Sequence, residues 1–370
     1  MFEVPRARFQ ENDSIPKIIN RYLDSYLRKV VSTNSFETLG VLSKAEKEEI
    51  DLDIYREHYI NTLEDLIKYL KATFEAYFAN SPSQAYEALT KGLSIPMVQN
   101  ILVGSKRFVV NRKENFYRVR SINRSTSKGI KLSPVNIGDL FHIPYELRRL
   151  ITTQRYSMPG FPCLYVGNSL NVAYHEVIEY MALAGYKSKI RDSNIAFAMR
   201  LRNTYPLRCF DLSPISVPNL LLELHAQDTD GERKWSIINK IYKYGLIWPI
   251  IASCYYQIAY KNKRNVSFKS EYVIPQLMLQ WFQDVQNEAD GIRYLSVNMC
   301  HQCDRKDIIG YNYVFPVKEI LDRGHCPILK HSFEVTQPLN SSAYKIKNYN
   351  DHKSIELMQT KLLNSAVSVW

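Results

Sequence analysis

Apolar residues recur at helical spacing through the first third of the chain and at strand spacing beyond it. Within Lys44 to Asn80, a stretch dense in Glu and Lys, Leu63, Leu66, Ile67, Leu70, Phe74 and Tyr77 lie three and four residues apart. That period predicts one long amphipathic helix over 44–80. Asn80 and Ser81 interrupt it. Ser81-Pro82 then reads as a new helix start, Ser81 as N-cap and Pro82 in the first turn, with Gly92 as the stop. A further helix is expected over Lys17–Val31. From Phe108 the texture changes: Phe108-Val109-Val110 and Phe116-Tyr117-Arg118-Val119 are short β-prone runs joined by polar residues.

Leu164-Tyr165-Val166 reads as a strand, Asn168-Ser169 as a turn and helix start, and Val172–Ala184 as a helix. Strands are expected at Ile195–Leu201, Cys209–Leu212, Ile292–Val297 and Tyr313–Val317, and helices over 235–260 and 276–288. The pattern is α+β behind a mostly α-helical N-terminal domain. It divides the chain into 1–110 (helical), 111–335 (mixed) and a C-terminal extension, 336–370. The sequence holds no internal repeat and no low-complexity segment.

Composition narrows the class. At 370 residues, 45% hydrophobic and 23% charged, the chain has the make-up of a folded protein rather than a disordered one. It contains no run near the roughly 20 apolar residues of a membrane span. Met1-Phe2-Glu3-Val4-Pro5-Arg6 lacks the basic and apolar regions of a secretion signal, so a cytoplasmic protein is expected. The six cysteines (Cys163, Cys209, Cys254, Cys300, Cys303, Cys326) lack the spacing of a disulfide framework and are expected as free thiols, several of them buried.

Charge adds a direction. Residues 1–112 carry 15 basic and 15 acidic side chains, whereas residues 113–370 carry 33 and 22, the whole net charge of +11. The excess favours an anionic ligand, a small phosphate compound or a nucleic acid, in the mixed segment.

The candidate chemistry lies in Gln154-Arg155-Tyr156-Ser157-Met158-Pro159-Gly160-Phe161-Pro162-Cys163-Leu164-Tyr165-Val166-Gly167-Asn168-Ser169, closing at Glu176. Arg155 precedes a Pro-Gly turn, where its planar fork can meet phosphate oxygens. Tyr165 offers a flat face to a heterocycle. Ser169 is most economically an N-cap. Glu176 falls beside the apolar stripe of Ala173, Val177 and Tyr180, with Glu179 as a competing carboxylate. Arg118 and Arg120 share one strand face, opposite Tyr117 and Val119. Singly, each has an ordinary structural explanation: surface arginines, a core tyrosine, a solvated glutamate. Their order is what counts.

Those residues carry a resemblance. Phe116–Arg120, then Gln154-Arg155-Tyr156-Ser157, Gly160, Pro162-Cys163-Leu164-Tyr165, Ser169, Ala173 and Glu176, together with Phe141–Arg149, Glu271–Gln276 and Gly291–Ser296, resemble the RES domain. The resemblance covers about residues 112–320 and implies an ADP-ribosyltransferase-like fold. It implies an NAD⁺-consuming enzyme that releases nicotinamide, a phosphorylase or glycohydrolase, serving as a toxin paired with an antitoxin or as a phage-defence effector. NAD⁺ is then substrate rather than cofactor. Glu176 and Arg155 would be catalytic; Arg118, Tyr165, Tyr156, Ser169 and Gln276 would bind substrate. Arg118 and Arg155 would take the pyrophosphate and ribose side, and Tyr165 the nicotinamide end.

The family's third-block serine follows a proline after a short strand. Here Pro275 is followed by Gln276, whose amide could donate in its place, and the nearest serines are Ser270 and Ser296. The acceptor is therefore open between inorganic phosphate, water and a protein side chain.

Two rival readings remain: transfer of ADP-ribose to a macromolecule, and a basic RNA-binding module in which the arginines contact phosphate and Glu176 is incidental, with residues 260–264 (Tyr-Lys-Asn-Lys-Arg) a further stretch able to stack and pair with phosphate. Cys300-His301-Gln302-Cys303, with His325-Cys326 downstream, is a lone CxxC, so no metal is expected. The neutral helical segment is a candidate surface for an antitoxin, a sensor partner or a second copy of the chain.

Overall fold

In the structure, a computed structural model describing residues 14–32, 52–105, 107–123, 135–183, 194–214, 223, 231–256, 268–285, 289–296, 310–319, 321–340 and 360–364, two units are distinguishable. One comprises residues 1–106, 214–259 and 270–281; the other comprises 107–213, 260–269 and 282–370.

The first unit is helical. α1 (Ile15–Ser32) buries Ile15, Ile19, Leu23, Tyr26 and Val30, a stripe spaced by three and four. α2 (Leu52–Phe78) buries Tyr59, Leu63, Leu66, Ile67, Leu70 and Phe74. α3 (Pro82–Leu93) follows without a side-chain cap bond from Ser81, its first turn set by Pro82 instead. Gly92 lets α3 lie close on α2, for a Cβ there would come within 2.9 Å of Tyr69 Cβ. After the short α4 (Pro96–Asn100), the chain leaves this unit and returns as α7 (Gly231–Ser253) and most of α8 (Val273–Val285). α7 is buried throughout Leu246 to Ala252. Tyr26 Oη donates to Gly245 O at 2.7 Å and Trp248 Nε1 to Tyr22 Oη at 3.0 Å, so the polar ends of these large side chains are satisfied inside the core.

The second unit is built on one ten-stranded sheet. Its strands are β1 (Arg107–Val110), β2 (Asn115–Asn123), β3 (Cys163–Gly167), β4 (Asn194–Asn203), β5 (Leu207–Asp211), β6 (Gly291–Leu295), β7 (Tyr311–Pro316), β8 (Phe333–Val335), β9 (Leu339–Asn340) and β10 (Leu363–Asn364). They run in the order β1-β5-β6-β7-β3-β2-β4-β8-β10, with β9 beside β4. Every pair is antiparallel except β5 with β6. A parallel pair needs a long crossover. That crossover contains α7 and α8, which is why part of the 111–335 segment belongs to the helical unit.

The sheet has two faces. On one, Phe116 stands edge-on to Tyr313, Phe315 and Phe333 at centroid distances of 5.0, 5.9 and 5.8 Å, in a core with Leu164, Val166, Met199 and Leu201. α5 (Ile137–Leu140) and Phe141 close this core. On the other face, Tyr117, Val119 and Ala198 pack against Leu170 and Ala173 of α6 (Leu170–Leu183). α9 (Pro327–Ser332) leads into β8. Among the described residues no helix is long and apolar enough to cross a membrane, and Cys163, Cys209, Cys254 and Cys326 are buried thiols in no disulfide.

His142, fully buried behind the first core, makes stability depend on pH. Its Nδ1–H donates to Ile143 O at 2.8 Å while Nε2 accepts Cys326 N–H at 2.8 Å, which requires the neutral ring. Burial, with smaller contributions from the charges of His325, Arg118 and Lys330, pulls its pKa down to about 3. An unfolded histidine takes up a proton near pH 6.5, so below that pH the unfolded chain binds a proton that the folded one refuses. Stability from this group is full above about pH 6.5 and is lost as pH falls toward 3, by about 1.4 kcal/mol per pH unit. Urea unfolding at pH 7 and pH 5 is expected to show a drop of about 2 kcal/mol that His142→Gln removes. An equal drop in the variant would assign the effect to other groups.

Candidate active site

Glu176 is positioned by the link from β3 to α6. At the end of β3, Asn168 N–H donates to Tyr311 O at 2.9 Å and Asn168 Oδ1 accepts Tyr311 N–H at 3.0 Å, pinning the turn to β7. Ser169 Oγ accepts Val172 N–H at 3.2 Å and so caps α6, the role that its place in the sequence suggested. Gly167 allows the close approach: a Cβ there would lie 3.0 Å from Ala173 N, 3.1 Å from Val172 Cγ1 and 3.2 Å from Ser169 O. Two turns along α6, Glu176 reaches back to the sheet.

There its Oε1 receives two neutral donors, Ser296 Oγ at 2.6 Å and Asn312 Nδ2 at 2.7 Å. Ser296 is fully buried at the end of β6, where its N–H donates to Gly310 O at 2.8 Å. Asn312 is in β7, opposite Gly167 of β3 and Tyr294 of β6. Residues paired directly across antiparallel strands point to the same face. Tyr117, Gly167, Asn312 and Tyr294 therefore share the face on which α6 lies, and Tyr165, two residues before Gly167, shares it too.

The Arg155 turn meets this face. The ring of Tyr156, buried, stands 4.7 Å from that of Tyr294. Tyr165 Oη accepts Tyr156 N–H at 3.3 Å and lies 3.0 Å from Ser157 Oγ, which donates to Gln154 Oε1 at 3.1 Å. With its proton committed to Gln154, Ser157 accepts from the Tyr165 hydroxyl. Arg155, half-buried, stands beside Tyr156 on the same bend. Burial pulls His175 down, partly offset by the adjacent Glu176 carboxylate, and burial pushes the Cys163 thiol up to about 12, which makes it a poor nucleophile.

One residue of the sequence-based set stands elsewhere. Arg118 projects from the opposite face of the sheet, because its strand neighbour Tyr117 is the one paired with Gly167. It donates Nη1 to the backbone oxygen of Tyr165 at 2.5 Å, and its Nε is sealed from solvent without a hydrogen bond. Burial, then repulsion from Arg120, draws its pKa down to about 10. Gln276 lies in α8 within the helical unit. Ser296, one of the two serines nearest the family's third-block position, joins Glu176, and so does Asn312, which the sequence did not mark. Ser296 was visible as the last residue of the Gly291–Ser296 block; Asn312 had only the weak signal of an amide inside an apolar strand.

This chain is 29% identical over 294 residues to "Putative toxin YopC" of Bacillus subtilis (strain 168). That match covers 76% of the present chain and 59% of the relative, so the chain spans less than two thirds of the relative's length. No family model matches the chain, and no solved structure matches it. The similarity is to a protein named as a toxin.

Among the described residues no group of three His, Cys, Asp or Glu side chains could hold a metal ion; Cys300, Cys303 and residues 260–264 lie outside them. Gly167→Ala is expected to lift the first turn of α6 by a few tenths of an ångström. Stability should fall by about 1 kcal/mol. A crystal structure of the variant should show the Glu176–Asn312 hydrogen bond, 2.7 Å in the wild type, lengthened by those few tenths of an ångström; an unchanged bond would show that α6 absorbs the methyl elsewhere.

Proposed function

We propose that the sheet unit is an NAD⁺-cleaving enzyme of the RES type, with an ADP-ribosyltransferase-like fold, acting as a toxin. The observation that carries this reading is a helix-borne carboxylate, Glu176, held by two neutral donors on the sheet face that also carries Tyr156, Tyr165 and Tyr294. A fixed anion beside an aromatic wall suits a substrate that is flat, cationic and about to develop positive charge. The nicotinamide ring of NAD⁺ and its ribose have that character. The name of the Bacillus subtilis relative supports the toxin role.

In the proposed reaction the C–N bond between ribose and nicotinamide breaks, and the bonding pair leaves with the ring, which becomes neutral. The ribose passes through an oxocarbenium-like state, as in other glycosidic cleavages. Glu176 stabilises that charge through the ribose hydroxyls and orients the acceptor oxygen. Water then gives ADP-ribose and a proton; phosphate gives ADP-ribose 1″-phosphate. Arg155, half-buried on the bend beside Tyr156, takes the pyrophosphate. Arg118 acts through its bond to the Tyr165 backbone rather than as a phosphate ligand. A protein that restrains the toxin would bind the helical unit.

The test is purified protein incubated with NAD⁺, following nicotinamide release with and without phosphate. Release dependent on phosphate supports phosphorolysis, and release without it supports hydrolysis. Labelling of an added protein with ADP-ribose would favour the transferase. A folded protein that leaves NAD⁺ intact in every arm would end this reading.

A further inference from the structure

We propose that Asn312 is a positioning residue for Glu176, setting the carboxylate's orientation through a hydrogen bond that only a donor at that position can make; this rests on the function proposed above. Its placement leaves it little freedom. Asn312 is 5% exposed in the middle of the sheet, locked between Gly167 and Tyr294 by strand register. Only Nδ2 can face Oε1 at 2.7 Å, since an amide oxygen turned toward a carboxylate would be repelled. Ser296 delivers its hydroxyl to the same oxygen at 2.6 Å. Two donors arriving at one atom from the ends of different strands fix the plane of the carboxylate, where one donor alone leaves it free to rotate about the bond.

The donors are also neutral. A lysine or arginine in their place would cancel the negative charge that an oxocarbenium-like state needs, whereas an amide and a hydroxyl hold the carboxylate without neutralising it. Burying an amide in a strand carries a desolvation cost unless it is bonded, and Glu176 supplies that bond. The same contact thus accounts for the polar residue in an otherwise apolar strand, Tyr311-Asn312-Tyr313-Val314-Phe315.

The chemistry provides a variant that separates positioning from packing. Asn312→Asp keeps the shape and places a second carboxyl against Oε1. At low pH that carboxyl is protonated and donates as the amide does. As pH rises the shared proton is lost, the donor disappears and two like charges face each other. Asn312→Ala, which removes the donor at every pH without adding a charge, gives no such dependence.

The experiment measures nicotinamide release from NAD⁺ by wild type, Asn312→Ala and Asn312→Asp across pH 4.5–8.5. Asn312→Ala is expected to lower kcat about 10- to 100-fold, with Ser296 still in place, and to change KM less than about 3-fold. Asn312→Asp should approach wild-type turnover at the acid end and lose it as pH rises, a limb absent from wild type. Equal losses at all pH values, or a loss confined to KM, would overturn the proposal. If wild type itself releases no nicotinamide, the functional reading fails, and the positioning claim is still decided by carboxyl ¹³C NMR of Glu176, assigned with Glu176→Gln. Loss of the Asn312 donor predicts that Asn312→Ala moves the Glu176 carboxyl resonance at neutral pH; an unmoved resonance overturns it.

Discussion

Nicotinamide release from NAD⁺ should fall by about 10³-fold or more when Glu176 is replaced by glutamine, with the folded structure intact. The substitution isolates charge from shape. A glutamine oxygen can accept from Ser296 Oγ and Asn312 Nδ2 as the carboxylate oxygen does, so both buried donors keep a partner and α6 keeps its anchor on the sheet. What disappears is the negative charge. If the protein is the NAD⁺-cleaving enzyme proposed above and the reaction proceeds through an oxocarbenium-like state, the loss appears in kcat, and NAD⁺ binding, which that proposal assigns to the tyrosines and Arg155, changes little. The measurement is single-turnover release with NAD⁺ in excess of KM. Turnover within about tenfold of wild type would remove Glu176 from the chemistry and leave the Ser296–Asn312 pair as a structural anchor.

Gly291→Ala is expected to have the largest effect on stability. A Cβ at this position would stand 2.4 Å from Val314 O and 2.7 Å from Phe315 Cδ1. The first contact is with backbone, so no side-chain rotation relieves it. β6 must move away from β7, and the ladder that pairs Ile292 with Val314 and Tyr294 with Asn312 opens. Overpacking of this kind costs about 3 kcal/mol, which lowers Tm by about 6–12 °C in a unit of this size. Because β6 and β7 carry Ser296 and Asn312, activity should fall as well, unlike with Glu176→Gln, where stability is kept. Calorimetry of the two variants side by side distinguishes a loss of architecture from a loss of charge. An unchanged Tm for Gly291→Ala would mean that β6 shifts without strain.

The residues show why some of this was visible beforehand. α1, α2 and α3 follow from spacings of three and four, since a helix that buries one face must repeat its apolar residues at that period. The strand at Cys163–Gly167 and the helix beginning at Leu170 follow from the switch of period and the Asn168-Ser169 turn. Where a residue's task is local, as for Ser169 at the start of α6, sequence position carried the role as well.

The sets joined across distance were not visible in the same way. Asn312 is 136 residues from Glu176 and Ser296 is 120, and no local pattern encodes which strands become neighbours. Arg118 shows the same limit in reverse. Its alternation with Tyr117 and Val119 correctly separates two faces, but which face receives α6 depends on the pairing of Tyr117 with Gly167. The serine that reaches Glu176 is Ser296, at the end of β6, and no local pattern around Ser270 or Ser296 encodes which of the two meets the carboxylate.

By itself, then, the sequence determined the helical and strand segments, the excess of basic charge after residue 112, and the Arg155–Tyr165–Glu176 order, because periodicity, composition and local caps act over a few residues. Only the tertiary structure decided that β7 lies between β3 and β6, and therefore that Ser296 and Asn312 meet Glu176 while Arg118 turns to the other face. Strand order and register are set by the burial of whole faces against each other, a property of the assembled sheet that no single segment contains.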